Sequence, residues 1–586
     1  MDAQKQRLLL IGGLGHTDLS GKVPRLGLLM LREALRRAGH DAVIENYAMS
    51  LNDRLFPPRI SSQLARLYER SIHPFVVDGT NPWTHPVKAV RFGLDMKRLR
   101  GLGRQLAQFE KDAFEHVATA VTRRIEQEDY DAVGFSLYVG GSTVAALLIA
   151  DRLRDTFPDL PVFFGGPQTT HFAETIFRTT HAPTALVLGE GEKAIVGLAE
   201  RLDAVRSGST DCMRDVPNLC YRDGSGDIVY TRRERMTEEE WVELSGGVYE
   251  EADFDGLLQH AFIETSRGCS NMCRFCAQPL VSGTHRYLKP AARVVDEMVQ
   301  LNRELGISRF ECVGSSTPPS QAGAIADELR SRNLQDAFRW ILFMRGRDGK
   351  TDAAALPGFM EKIGAAGCSS VFFGVEAADN ETLRKMGKHE TVEDIEAAMT
   401  ASRQAGIATV GSFIYPYPGM PENEEDLILA FIDRVRPLSA PVQPLGLYPG
   451  TWCAQHANEI GCEIMYPSRH DQKAFLAGQK EQPTMDSPEV LTYFLTYPLI
   501  LSLPMRFWDP FPYKIDGMDY VQYQKMAGKL QKRIAKRNVL LGFSHSHYLM
   551  SETLNMTPQD FSERLLYFSI TGDGQVARDL IERCNT

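Results

Sequence analysis

Short apolar runs alternate with segments of helical spacing in two separate blocks of this chain, and that alternation constrains the fold more than any other feature. In the first block, residues 1–205, Leu8–Gly13 is an apolar run ending in Gly12-Gly13, Gly27–Gly39 has helical periodicity with a glycine stop, and Asp41–Tyr47 reads as a second strand. Tyr130–Leu137, Thr143–Phe157, Pro161–Gly166 and Ala185–Gly189 continue as strand, helix, strand and strand, and a helix starts at Glu192. Such alternation means a parallel sheet with helices on both faces. The second block, residues 261–450, repeats the unit about six times, with strand candidates at Phe262–Thr265, Arg309–Val313, Arg339–Met344, Ser370–Val375, Ala408–Ile414 and Val442–Leu447. Six units predict a partial (β/α)6 barrel. The fold class is α/β, with a Rossmann-like first domain, a central barrel and a mainly helical C-terminal domain over 451–586.

The chemistry is concentrated in one loop. Cys269, Cys273 and Cys276 stand in Glu264-Thr265-Ser266-Arg267-Gly268-Cys269-Ser270-Asn271-Met272-Cys273-Arg274-Phe275-Cys276, a C-x3-C-x2-C run. Three close thiolates suit three irons of a [4Fe–4S] cube and leave the fourth open to a cofactor. A structural zinc asks for four ligands, often as two paired half-sites, and no second C-x2-C is present. A chance group of buried cysteines is the remaining alternative. The run follows the apolar strand Ala261-Phe262-Ile263, at the strand end where α/β barrels keep their chemistry. With Phe275 before the last cysteine, it resembles the cluster motif of the radical SAM superfamily. That resemblance implies that Cys269, Cys273 and Cys276 hold a [4Fe–4S] cluster whose open iron chelates the amino and carboxylate groups of S-adenosyl-L-methionine (SAM).

Composition sets the remaining bounds. A chain of 586 residues exceeds one ordinary core, so about three to four domains are expected. Hydrophobic content of 43% and charged content of 24% are those of a globular enzyme, and a net charge of −10 argues against a nucleic-acid-binding surface. The N-terminus leads straight into Leu8-Leu9-Leu10-Ile11 without a signal-peptide h-region, and no apolar run reaches the ~20 residues of a membrane helix. Ten cysteines in so long a chain make no disulfide framework. A cluster-binding enzyme needs a reducing compartment, so a cytoplasmic location is expected.

Glycines and small polar residues gather at the strand ends of the first block: Gly12-Gly13, Ser136, Gly140-Gly141-Ser142, Gly165-Gly166-Pro167 and Gly189-Glu190-Gly191-Glu192. Open α/β sheets bind ligands beyond the carboxyl ends of their strands, and several glycine loops on one edge suit a large flat ligand. No G-x-G-x-x-G or G-K-[ST] follows Gly12-Gly13, which leaves dinucleotide and P-loop readings little support. Taken in order, Pro24–Leu29, Tyr130–Ser136, Phe164–Pro167 and Gly189–Glu192 resemble the cobalamin-binding domain that precedes many radical SAM domains. The resemblance implies cobalamin contacts at Gly12, Gly13, Ser136, Gly140, Gly141, Gly165, Gly166, Gly189 and Glu190. The family's D-x-H-x-x-G is missing and His16 reads as a solvated loop residue, so a cobalamin without a histidine ligand is expected. Residues 48–128 read as a mostly helical insertion covering the cobalamin edge, and 206–260 as a linker with a β-hairpin.

In the barrel, Phe373-Gly374-Val375-Glu376 through Lys388 resembles the fourth-strand signature of the cobalamin-linked radical SAM group. It implies SAM contacts at Gly374 and Glu376. Phe275, Ser315 and Arg345 join them as candidates, with Arg345 pairing either with the SAM carboxylate or with Glu376. Tyr415, Tyr417 and Tyr448 follow the last strands and read equally as pocket wall or packing. Cys312 and Cys453 fall near strand ends, as pocket thiols or buried ones. The C-terminal region looks helical and carries an aromatic patch of Tyr493, Phe494, Tyr497, Phe507, Trp508, Phe511, Tyr513, Tyr520 and Tyr523 that would shape the substrate pocket. His545 and His547 are weak grounds for a metal.

The resemblance implies a cobalamin-dependent radical SAM methyltransferase that uses SAM as methyl donor to cobalamin and as radical source. A small-molecule or peptide substrate and a low-potential electron donor such as flavodoxin or ferredoxin are the expected partners. A cyclase or rearrangement enzyme is the enzymatic alternative, and a cobalamin-binding sensor the non-enzymatic one. Methylthiolation is disfavoured because no cysteine precedes Cys212.

Overall fold

The computed structural model describes residues 5–14, 23–77, 84–137, 141–246, 248–349, 352–354, 358–448, 450–464, 513–518 and 520–585; His16, Gly140 and the aromatics from Tyr493 to Phe511 lie outside them. The first apolar runs become strands β1 (Arg7–Gly12), β2 (Asp41–Asn46), β3 (Ala132–Ser136), β4 (Val162–Gly165) and β5 (Ala185–Val187). Leu9, Ile11, Val133 and Phe135 pack on one face with Val117 and Ile149, while Leu8, Leu10 and Ala132 pack on the other with Leu35 and Leu198. Burial on both faces explains why these strands read as continuous apolar runs. All five are parallel, in the order β2-β1-β3-β4-β5. The order reverses between β1 and β3, so a crevice opens at the strand ends carrying Gly12 and Ser136.

The hairpin β6 (Leu219–Arg222) and β7 (Ile228–Tyr230) pairs antiparallel along β5. It completes the first sheet as an edge. Between β2 and β3 the chain forms helices Ala48–Leu55, Pro58–Leu67 and the 42-residue Pro86–Gln127, with a π-helical stretch at Tyr68–Val77. Pro58 and Pro86 each open a helix, where a missing N–H leaves nothing unsatisfied.

The second block forms β8 (Ala261–Glu264), β9 (Arg309–Val313), β10 (Arg339–Met344), β11 (Cys368–Glu376), β12 (Ala408–Ile414) and β13 (Val442–Gln443), parallel and adjacent in chain order. The sixth strand is shorter than its apolar run because Pro444 has no N–H for the ladder. Ala261, Ile263, Phe310, Cys312, Trp340, Leu342, Val371 and Phe373 pack outward with Val294, Met298, Ile325 and Ile395 of the covering helices. Side chains alternate along a strand, so Phe262, Glu311, Phe343, Phe372 and Glu376 face the barrel interior.

The C-terminal region is helical as expected, with Tyr520–Ala535, His545–Thr553, Pro558–Thr571 and Gly574–Asn585. Helix His545–Thr553 closes the barrel end opposite the cysteine loop: Glu552 lies near Arg309 and Arg339, the first residues of β9 and β10. His545 inserts edge-on between Phe343 and Phe372, with ring centroids 4.3 and 5.5 Å away. Its Nε2 stands 3.4 Å from Glu311, which also faces His260 at 3.5 Å and accepts from Ser546 at 2.7 Å. Against burial, the two imidazoles hold the Glu311 carboxyl well below the usual range. Among the described residues no helix is long and apolar enough to cross a membrane.

Candidate cofactor site

Where β8 ends at Glu264, the chain enters the loop that carries the three cysteines. All three are free and half-buried. Backbone bonds pin the loop: Cys269 N–H donates to Gly283 O (3.0 Å), Arg274 N–H to Met386 O (2.8 Å) and Cys276 N–H to Cys273 O (3.0 Å). Gly268 has φ +81°, and a Cβ there would lie 2.0 Å from His285 O, so only glycine fits this approach. Donors surround the thiols. Asn271 Nδ2 lies 3.8 Å from Cys269 Sγ, Arg345 Nη1 3.7 Å from Cys273 Sγ, and Gln278 N–H 3.4 Å from Cys276 Sγ.

Burial pushes the Cys276 thiol up to about 11 and raises Cys273 as well. Coordination to a metal deprotonates such thiols outright. Among the described residues, no three His, Cys, Asp or Glu side chains converge as they would around one ion. A cube offers a separate iron to each thiolate and so asks the three sulfurs to stand apart. Three free half-buried thiols with N–H and guanidinium donors fit that group.

A line of buried charges runs from Cys273 into the barrel. Arg345, just past β10, pairs with Glu390 (3.3 Å) and Glu390 with Lys388 (3.1 Å); Lys388 stands 3.9 Å from Glu376 at the end of β11. The expected Arg345–Glu376 pair is therefore corrected: Glu390 takes Arg345, and Lys388 stands between the two carboxylates. Lys388 also donates to Gly374 O, and Glu390 accepts from Arg347 N–H at 3.1 Å. Burial opposes the charge on Arg345, but Glu390 and Cys273 raise its pKa nonetheless.

Glu376 has a left-handed backbone (φ +69°) and sits at a bulge in the β11–β12 register. Such a conformation costs a non-glycine residue about 1–3 kcal/mol. The bulge re-aims the carboxylate inward. Gly374 leaves it room, since a Cβ there would lie 2.4 Å from Glu376 Oε1. Burial raises the Glu376 carboxyl, and Lys388 opposes that rise. Arg345 Nη2 and Glu390 Oε1 engage each other as an ion pair without hydrogen-bond geometry, whereas the Glu376 carboxylate accepts no hydrogen bond among the described residues, so it is the member of the line with unused capacity. On the other side of the loop, Ser315 accepts from Gln278 Nε2 at 3.2 Å, and Phe275 packs half-buried against the barrel core.

The first domain meets this loop through a second charge cluster. Arg267, two residues before Cys269, makes a two-pronged bond to Glu264 (3.0 and 2.8 Å) and bonds Glu192 at 2.9 Å, with Glu190 at 3.7 Å. Glu190 also accepts from Arg235 Nε (3.0 Å) and Met236 N–H (2.9 Å). Sequence reasoning assigned Glu190 to cobalamin; its carboxylate is instead taken up in this joint. Gly189 (φ +70°) likewise faces the joint, where a Cβ would lie 2.2 Å from Arg233 Nη2 and 2.9 Å from Val281 O. Gly12, Gly13, Ser136, Gly165 and Gly166 remain together at the ends of β1, β3 and β4, where Ser136 pairs with Gly165 in register, and Gly141 opens the helix after β3. Gly166 (φ +97°) lets its loop approach Leu137, whose carbonyl a Cβ would meet at 2.5 Å.

Two readings that the sequence left open are decided in the barrel. Tyr415 and Tyr417 pack buried in the core, with Tyr417 Oη 3.6 Å from Cys453 Sγ. Cys312 and Cys453 are core thiols. Tyr448 alone of the tyrosines reaches the other domain, its ring 6.0 Å from that of His171 on helix Pro167–Thr179. Lys388, Glu390, Arg267 and His171 were missed by sequence reasoning. Lys388 is the last residue of the recognised signature, Glu390 lies two residues past it, and Arg267 stands inside the cysteine run, which are the signals that pointed to them.

Comparison with known proteins agrees with this geometry. The family described as the radical SAM superfamily matches residues 263–431, and the B12 binding domain matches residues 105–199. An uncharacterized methyltransferase of Pyrococcus horikoshii is 25% identical over 345 residues, 58% of this chain and 71% of that protein. The radical SAM methyltransferase TsrM from Kitasatospora setae, solved with cobalamin and a [4Fe–4S] cluster, superposes with a TM-score of 0.59 at 18% identity, covering 98% of this chain and 99% of its own. The cobalamin-dependent radical enzyme OxsB, solved with aqua-cobalamin and SAM, gives 0.56 at 14% identity, covering 98% and 72%. At these identities the likeness to solved structures is one of fold. The chain carries a B12-binding domain followed by a radical SAM domain, the pairing found in cobalamin-dependent radical SAM enzymes.

Proposed function

We propose that this chain is a cobalamin-dependent radical SAM methyltransferase that places a methyl group on an unactivated carbon of a small-molecule or natural-product substrate. The observation that carries the reading is the Arg267 joint, which ties the β5 loop of the B12-binding domain to the first turn of the cysteine loop. Two cofactor domains held this closely serve one reaction. When bound, the cluster and SAM would supply a carbon-centred radical, and cobalamin a methyl group.

The protein's part is to bind, orient and shield. Cys269, Cys273 and Cys276 hold the cluster. Arg345 offers its guanidinium to the SAM carboxylate and Glu376 its carboxylate to the ammonium, a complementary pair set beside Cys273. The crevice at Gly12, Gly13, Ser136, Gly165 and Gly166 takes cobalamin, with glycines where backbone must approach a flat ring. Helix His545–Thr553 closes one end of the barrel, which keeps water and bystander side chains from a reactive carbon centre. The electron comes from a low-potential donor such as flavodoxin or ferredoxin, in the cytoplasm.

A cyclase or rearrangement enzyme is the second reading, favoured by 26% identity over 268 residues to an anaerobic magnesium-protoporphyrin IX monomethyl ester cyclase of Rubrivivax gelatinosus. Anaerobic reconstitution with iron, sulfide and hydroxocobalamin, followed by SAM and dithionite, separates the two. Methylation predicts both 5′-deoxyadenosine and S-adenosylhomocysteine. Cys273→Ala should abolish the deoxyadenosine and leave cobalamin retention intact. Deoxyadenosine alone would favour cyclisation, and a protein that retains no cobalamin would end both readings.

A further inference from the structure

The cysteine loop has an outer side that the cofactor reading does not use. Met272, between Cys269 and Cys273, is 55% exposed and holds a left-handed backbone (φ +49°). Met272 thus offers an apolar contact point on a loop otherwise pinned by backbone bonds. Consecutive Cα atoms are about 3.8 Å apart, so whatever touches Met272 lies one residue from a cluster ligand.

Basic residues gather on the two segments that meet at this methionine. Gly387 (φ +66°) brings the turn after helix Asn380–Lys385 against the loop: a Cβ there would lie 3.2 Å from Arg274 Cγ and 3.6 Å from Met272 O. Arg274 donates to Lys385 O at 3.1 Å, and its guanidinium lies 4.1 Å over the Trp452 ring, which stacks on His456. Arg384 is exposed on the same turn. Neither Arg274 nor Arg384 has a carboxylate partner among the described residues. Lys385 is half satisfied, by Gly419 O at 2.7 Å and by Glu381 at 3.4 Å. A small apolar centre with a basic rim thus stands over the cluster ligands of a chain whose net charge is −10.

The geometry points to this face as the docking surface of an acidic one-electron carrier protein, an inference that rests on the proposed function because that reaction needs an electron delivered to the cluster. Charge complementarity selects the occupant. An acidic carrier is repelled by the chain as a whole and drawn to this basic rim beside the cysteine loop, which orients the encounter. Electron-transfer encounters bury little area, so a patch of this size suffices. Methionine is also a side chain that adapts to a transient partner. The electron passes from the reduced carrier to the cluster, leaving the carrier oxidised by one electron, with no bond made at this surface.

The test compares two reductants on the reconstituted full-length protein. Deoxyadenosine formation is measured with a reduced acidic flavodoxin and, separately, with dithionite, for the parent chain and Arg384→Glu. The flavodoxin-supported rate should fall about fivefold at low salt, and the gap should narrow as ionic strength rises, while the dithionite-supported rate stays unchanged. In parallel, titrating methyl-labelled protein with oxidised flavodoxin should shift the Met272 methyl resonance, more weakly for Arg384→Glu. Equal loss with both reductants, a flavodoxin rate indifferent to the charge reversal, or a Met272 resonance that moves only with the protein's own concentration would overturn the docking surface. A parent chain that makes no deoxyadenosine even with dithionite would overturn the functional reading beneath it.

Discussion

Two buried charge clusters flank the cysteine loop, and they differ in how tightly each holds its carboxylates. In the first, every guanidinium nitrogen of Arg267 is engaged: Nε and Nη2 by Glu264, Nη1 by Glu192. Trp241 Nε1 adds a further bond to Glu264 at 2.7 Å. In the second, Arg345 Nη2 and Glu390 Oε1 meet as an ion pair at 3.3 Å without hydrogen-bond geometry, and Glu376 stands in a left-handed conformation 3.9 Å from Lys388. A cluster closed around its cation by direct hydrogen bonds contributes to the fold, whereas one with a carboxylate held only at 3.9 Å leaves that carboxylate open to something that arrives later. The closed cluster joins two domains, and the open one lines the barrel beside Cys273.

The contrast breaks first at Arg267. Arg267→Met leaves Glu192 and Glu264 buried without their cation, and removing one partner of such a cluster costs about 3–5 kcal/mol. Urea denaturation should register that loss. Arg267→Lys should recover only part of it, because a point charge cannot reproduce the two-pronged bond to Glu264. A variant that unfolds within roughly 1 kcal/mol of the parent would show that the joint is not what holds the domains together.

Glu424 isolates the cost that both clusters offset, since it is a buried carboxyl with no cation. It is 1% exposed, accepts one bond from Ala378 N–H at 2.7 Å and leaves Oε2 without one. Burial, with help from Asp379 and against the Ala378 bond, pushes its pKa up to about 7 from an ordinary 4.5. The folded chain therefore holds this proton more tightly than the unfolded one. The resulting stability is complete below about pH 4.5 and is lost as pH rises through about 7, a span worth roughly 3 kcal/mol. Glu424→Gln keeps an acceptor for Ala378 and removes the titration. It should match the parent near pH 5 and exceed it by roughly 2–3 kcal/mol near pH 8. Identical pH profiles for the two proteins would sink this account.

Much of this arrangement was legible in the sequence. Both sheets follow from apolar runs separated by helical spacing, and the truncation of β13 follows from Pro444. The cysteine spacing located the cluster loop, and Gly374-Val375-Glu376 located the inward carboxylate. What failed were questions of partnership. A glycine loop with acids looks the same in sequence whether it meets a ligand or another domain, so Gly189-Glu190 was misassigned. Tyr415 and Tyr417 are aromatic in either setting, and only packing against Cys453 and the barrel core decides between them. Lys388 and Glu390 are charged residues in a short loop, which the local pattern does not distinguish from solvated ones. They are buried because Gly387 folds that loop under the strand ends, and nothing in the local pattern announces it.

Glu376→Gln sharpens the contrast at its subtlest point. The carboxylate accepts no hydrogen bond among the described residues and stands far from its one cation, so it contributes little to the fold. The amide keeps the volume and removes the charge. Stability should change by no more than roughly 1 kcal/mol, because Lys388 keeps Glu390 as its carboxylate partner at 3.1 Å. Equilibrium binding of SAM to the reconstituted protein should weaken about tenfold, equivalent to about 1.4 kcal/mol. Arg267→Met should show the inverse pattern, with stability lost and intrinsic SAM affinity kept in whatever fraction remains folded. If Glu376→Gln lowered stability and left SAM affinity unchanged, the second cluster would be a structural element like the first. The left-handed turn at Glu376 would then serve the barrel's closure and have no part in holding a ligand.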